Sequence, residues 1–183
     1  MAPKHRVVGT ILALSIAGIS QTVAQVGSPD PDAGQIVGLF EQSCMRFAGD
    51  PAGLRSWIST HHLPQVPAEQ AALFLGPIGT GEVFGASTPS GKHALVSYDS
   101  GACQVIAMAG DAPTVWRTLL ALLGKLGVSV SQILVRSKPD GSSTQQLFDA
   151  TLGSRHWKIS ITSKPHSGAP KLAPTLFLLA TVG

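Results

Sequence analysis

Apolar residues follow two different rhythms along this chain, and the change between them divides it. Ile36, Phe40, Cys44 and Phe47 recur at steps of four and three, the spacing of one buried face of an amphipathic helix. Asp30 and Asp32 suit its N-terminal end, and Gly49 is the residue type that stops a helix. Asp50-Pro51 reads as an N-cap followed by proline in the first turn, opening a short second helix that buries Leu54, Trp57 and Ile58. A third helix is expected over Pro67 to Leu75. It ends at Gly76-Pro77-Ile78-Gly79-Thr80-Gly81, which breaks any regular structure.

From Glu82 the period shortens to two. Val83 to Ser87, Lys92 to Tyr98 and Ala102 to Ala107 read as a three-stranded meander, turning at Thr88-Pro89-Ser90-Gly91 and Asp99-Ser100-Gly101. Asp111 then caps a helix over Ala112 to Leu126, with Val115, Leu119, Leu122 and Leu126 as its stripe and Gly127 as its stop. Four further strands are expected: Val128 to Arg136, Thr144 to Thr151, His156 to Ser163 and Thr175 to Val182. Pro139-Asp140-Gly141, Gly153-Ser154 and Pro165 to Pro170 separate them. In His156 to Ser163, Trp157, Ile159 and Ile161 alternate with Lys158, Ser160 and Thr162, as in an antiparallel strand buried on one side. The expected fold is α+β: N-terminal helices plus a central helix packed on an antiparallel sheet of about seven strands.

The first 24 residues follow another logic. Lys4, His5 and Arg6 precede the apolar run Val7 to Ile19, and Thr22-Val23-Ala24 is small where a signal peptidase reads, so residues 1–24 are expected to be a signal peptide. The run is too short to cross a hydrocarbon core of about 30 Å as a helix, and no later run of about 20 apolar residues replaces it. The mature protein should begin at Gln25, be periplasmic or secreted, and keep no stable membrane anchor. Residues 25–34, with Gly27 to Asp32 rich in Gly, Ser, Pro and Asp, read as a flexible leader, and residues 35–183 as a single domain.

Export changes how the cysteines are read. An exported compartment is oxidising, and two cysteines allow one intramolecular connectivity, so Cys44 and Cys103 are expected to form a structural disulfide. Closing that loop constrains the unfolded chain by roughly 4 kcal/mol. Export also changes the charge. The whole chain carries 13 Lys and Arg against 10 Asp and Glu, and losing Lys4 and Arg6 leaves 11 against 10, a net of +1. The stretch from Gln25 to Asp111 is acidic and the remainder basic, but charges interspersed on one surface explain this without an anionic partner. No nucleic acid is expected.

Residue types that could carry chemistry are present without the spacing that would use them. His61-His62 diverge on helix and strand alike, and lack a further ligand at metal-site spacing. Gly85 to Lys92 imitates a phosphate loop, but five residues separate its glycines and His93 stands where a Ser or Thr would hold magnesium. Ser90, His93 and Asp99 supply the types of a hydrolytic triad without a Gly-x-Ser-x-Gly elbow. Glu41, Glu69 and Glu82 fall on different elements, and Trp57, Trp116, Trp157 and Tyr98 fall on faces already needed for packing. No catalytic residue, metal or cofactor is therefore expected.

An export signal, Gly49-Asp50-Pro51 at a helix start, a hairpin with Ser90-Gly91 at its turn and the segment Asp99-Ser100-Gly101-Ala102-Cys103 together resemble a group of small exported proteins of Gram-negative bacteria without an assigned reaction. The resemblance runs from about Ile36 to the end by element order, and implies a periplasmic address and a Cys44–Cys103 bridge. The function expected is a non-enzymatic binding or interaction domain for a protein or small-molecule partner. The alternative is a small serine- or histidine-dependent hydrolase around the Ser90 to Asp99 hairpin.

Overall fold

A computed structural model of the chain describes residues 31–76, 79–88, 91–164 and 175–183. The expected signal peptide and the expected start at Gln25, Asp30, Ser90 and the Pro165 to Pro170 connection lie outside them. In chain order the elements are α1 (Pro31–Phe40), a π-helical turn (Glu41–Met45), α2 (Pro51–Thr60), α3 (Ala68–Leu75), β1 (Gly81–Thr88), β2 (Gly91–Tyr98) and β3 (Cys103–Ala107). There follow α4 (Ala112–Lys125), β4 (Ser129–Ser137), β5 (Thr144–Leu152), β6 (Arg155–Ser163) and β7 (Leu176–Val182). The helix expected from Ile36 onward begins at Pro31, inside the segment read as leader, because Ala33 and Ile36 are already part of the core.

The seven strands form one antiparallel sheet in the order β1-β2-β3-β7-β6-β5-β4. Two meanders, β1–β3 and β4–β7, are joined where β3 pairs with β7. Because side chains alternate across a strand, each meander contributes to both faces. On one face Leu95, Val105, Leu178 and Ile161 stand side by side across β2, β3, β7 and β6. They meet α1, α2 and α4 through Ile36, Phe40, Leu54, Ile58, Val115 and Leu119 to form the main core. On the other face a smaller cluster of Val83, Ala94, Val96 and Ile106 packs under α3, with Ala71 the buried residue of that helix.

Local chemistry sets the helix ends. Asp50 accepts a hydrogen bond from the backbone N–H of Gly53 at 2.8 Å, and Asp111 accepts one from that of Thr114 at 2.9 Å, each cap being followed by a proline in the first turn. The buried line of α4 differs from the expected stripe: it is Val115, Leu119 and Leu123, with Leu122 half-buried and Leu126 45% exposed. The helix ends at Lys125, so Leu126 lies beyond the last turn that faces the sheet.

The first helix also departs from a regular α-helix. Its last turn is π-helical, and Ser43, Cys44 and Met45 are all buried, three consecutive positions that a regular helix would spread over 200°. This turn brings Cys44 against the start of β3, where it is disulfide-bonded to Cys103 with Cα atoms 5.0 Å apart. Beyond the bridge two backbones touch: the Gly49 N–H donates to the Gly101 carbonyl at 2.8 Å, and both glycines have φ of +85°. A Cβ on Gly101 would lie 2.9 Å from the Gly49 Cα.

Two stability measurements test this junction. Gly101→Ala should cost at least about 1–3 kcal/mol, the usual penalty for a side chain at positive φ, read as a lower urea midpoint with an unchanged m-value. Replacing Cys44 and Cys103 with alanine, or reducing the bridge, should cost about 2–5 kcal/mol and lower the melting temperature. An identical melt with and without reductant would remove the structural role of the bridge.

Candidate functional site

Polar side chains in this fold are mostly committed to holding elements together. Arg55 of α2 donates from Nη2 to Asp99 Oδ1 at 2.5 Å and to the Ser97 carbonyl at 3.3 Å. Its Nε lies 3.2 Å from Glu82 Oε1, an ion pair without the alignment of a hydrogen bond. The hydrogen bond from Arg55 holds the Asp99 carboxyl below the usual carboxylate range. Asp99 thus fastens the end of β2 to α2 instead of orienting a histidine.

His93 sits at the other end of β2, six residues away, or about 20 Å along an extended strand. Its ring turns toward the helical face, with Nε2 3.0 Å from Thr88 Oγ1 and Nδ1 buried without a hydrogen bond. The geometry separates the two described members of the Ser90, His93, Asp99 set, and Ser90 is outside the described residues. His61 closes α2, stacking on Trp57 with ring centroids 4.1 Å apart, while His62 takes the left-handed conformation just after the helix. Among the described residues no group of three or more His, Cys, Asp or Glu side chains is placed to hold a metal ion.

The aromatic residues pack. Trp157 is buried and donates its indole N–H to the Met45 carbonyl at 3.0 Å, satisfying an acceptor left free at the end of the π-helical turn. Trp116 stacks on Phe148 at 3.8 Å, Trp57 lies against Phe47, and the Tyr98 hydroxyl donates to Gln104 Oε1 at 3.0 Å. Basic residues after Ala112 are divided between the two ends of the sheet. Arg155 and Lys158 start β6, Lys158 pairing with Asp149, whereas Arg136 ends β4 and Lys164 follows β6.

One of several surface clefts lies between α3 and the sheet and differs from the others in its apolar walls. It has a volume of about 400 Å³ and is lined by Val66, Phe74, Gly85, Lys92, Ala94 and Met108, with His93 in its floor. Strand alternation turns Lys92 and Ala94 into the cleft and the His93 ring away from it. The walls are almost wholly apolar, and among the described residues Lys92 is the one charged group in them. Lys92 of β2, Met108 just after β3 and Thr175 just before β7 continue the strand pairing by one step, and Lys164 stands next in that row with its ammonium 4.9 Å from the Phe177 ring centre. Among the described residues neither Lys92 nor Lys164 has a carboxylate partner. No local pattern marks this cleft, since its residues come from five separated segments of ordinary composition.

Burial of His93 makes one pH dependence. Desolvation lowers its pKa below the ordinary 6.5, against a smaller opposing pull from the Asp32 charge. The unfolded chain therefore binds the proton more readily, and His93 stabilises the fold above about pH 6.5, losing that contribution as pH falls through the folded-state value. The urea midpoint should drop between about pH 7 and pH 5, and less steeply in His93→Gln. Equal slopes in the two proteins would show that the ring titrates freely.

No family model matches the sequence, no curated protein matches it, and no solved structure matches the fold.

Proposed function

We propose that this protein is an exported, periplasmic, non-enzymatic binding domain. Its ligand is a small amphiphile, an apolar chain carrying one anionic group, bound in the cleft beneath α3. The observation that carries this reading is the lining of that cleft: Val66, Phe74, Ala94 and Met108 offer apolar surface, and among the described residues Lys92 alone offers charge. A volume of about 400 Å³ falls within the range of small-molecule sites, about 300–1,000 Å³. A nucleophile with a positioned base, which a hydrolase requires, is lacking among the described lining residues. The export assignment is supported by the order of basic, apolar and small residues in the first 24 positions, and by a disulfide of the kind that persists in oxidising compartments.

Calorimetric titration of the mature protein with decanoate, kept below its micelle concentration, tests the assignment. Saturable one-site binding is expected. Lys92→Gln should weaken it by up to about fivefold, since an exposed ion pair is worth about 0.2–1 kcal/mol, and Ala94→Leu should abolish it by filling the floor. No heat with the native protein, or binding that Ala94→Leu leaves intact, would overturn the cleft as the site.

A further inference from the structure

The two edges of the sheet are treated differently. At β1 the segment before α3 closes the edge: Val66 N–H donates to the Val83 carbonyl, Gly85 N–H donates to the Pro64 carbonyl, both at 2.8 Å, and Gln65 bridges Phe84. At the far end β4 pairs with β5 on one side, and among the described residues nothing pairs with its other side. All residues from Ser131 to Ser137 are exposed.

The composition of this strand is also unusual for an open edge. Natural edge strands are protected by lysines, prolines, inward charges or short length. β4 is nine residues long, contains no lysine, proline or acid, and carries Arg136 as its single charge. At its middle Ile133, Leu134 and Val135 are exposed by 48%, 38% and 51%. The irregularity at Ile133 is its one protective feature. The neighbouring helix adds to the apolar surface. Trp116 of α4 stacks on Phe148 of β5, and Leu120, one turn further on the same side of α4, remains 37% exposed.

We infer that β4 is the interface of a homodimer, in which the β4 strands of two copies pair antiparallel and extend the sheet across a two-fold axis. The occupant is a second copy because the strand is complementary to itself. A two-fold axis through Leu134 sets Ile133 of one copy against Val135 of the other and Arg136 against Gln132, so apolar residues meet and no like charges oppose one another. The strand's free N–H and C=O groups supply the hydrogen bonds that such an arrangement needs. The inference is independent of the ligand cleft, which lies at the opposite end of the sheet.

Sedimentation and light scattering of the mature protein at high micromolar concentration should give twice the mass of one chain. Val135→Lys and Ile133→Lys should each halve that mass while leaving the thermal melt cooperative, because both side chains are on the surface. Hydrogen exchange provides a readout on the native protein alone: protection of amides in Ser129–Ser137 should rise with concentration. A native monomer at high micromolar concentration, a dimer unaffected by either lysine, or β4 protection independent of concentration would each overturn the inference.

Discussion

The joint between the end of the first helix and the start of β3 is the contact on which the rest of the fold depends. Three interactions meet there within a few residues: the Cys44–Cys103 bond, the Gly49 to Gly101 hydrogen bond, and the Arg55 to Asp99 ion pair. Together they fix α1, the π-helical turn and α2 against the hairpin formed by β2 and β3. The covalent bond confines the unfolded chain, while the glycines allow two backbones to approach more closely than any side chain would permit. The segments Gly49-Asp50-Pro51 and Asp99-Ser100-Gly101-Ala102-Cys103 converge at this joint. Their roles there are a close backbone approach, a helix cap, an ion pair and a bridge, all of them structural.

Fixing three helices on one face leaves the other face unequally covered. The main core buries Leu95, Val105, Leu178 and Ile159 under α1, α2 and α4, whereas among the described residues the opposite face has α3 alone, over β1 and β2. α3 is a weak cover. It has eight residues, no side-chain cap and one buried residue, and Leu73 on it is 83% exposed. A short helix resting on a sheet through so little contact leaves space beside it, and that space is the apolar cleft. A second consequence falls at the other end, where α4 lies inward of β4 and leaves its outer side open.

Among the described residues several of the ionisable side chains are committed to holding elements together. A reaction needs acid, base and nucleophile converging within hydrogen-bond distance. Here Asp99 holds Arg55, Asp50 and Asp111 cap helices, Asp149 pairs with Lys158, and the His93 ring is turned into the helical face at the end of β2 remote from Asp99. Their commitments are structural and far apart. Lys92, exposed at an apolar cleft and without a carboxylate partner among the described residues, is the group on which the proposed anion binding rests.

Local pattern determined a large part of this molecule. The steps of four and three from Ile36 placed the first helix, Asp50-Pro51 and Asp111 placed two helix starts, and the alternation around Trp157 to Ile161 identified a strand with one buried face. The two cysteines, being the only pair the sequence offers, determined their own partner. These features are legible because periodicity, capping and turn chemistry act over a few neighbouring residues. Pairing of β3 with β7, the π-helical turn that aims Cys44, the shift of the α4 stripe to Leu123, and the meeting of Gly49 with Gly101 depend on contacts between distant segments. The cleft is the extreme case. Val66, Phe74, Gly85, Ala94 and Met108 are unremarkable in sequence, and the tertiary structure alone decides that α3 covers part of the sheet and leaves them facing an open space.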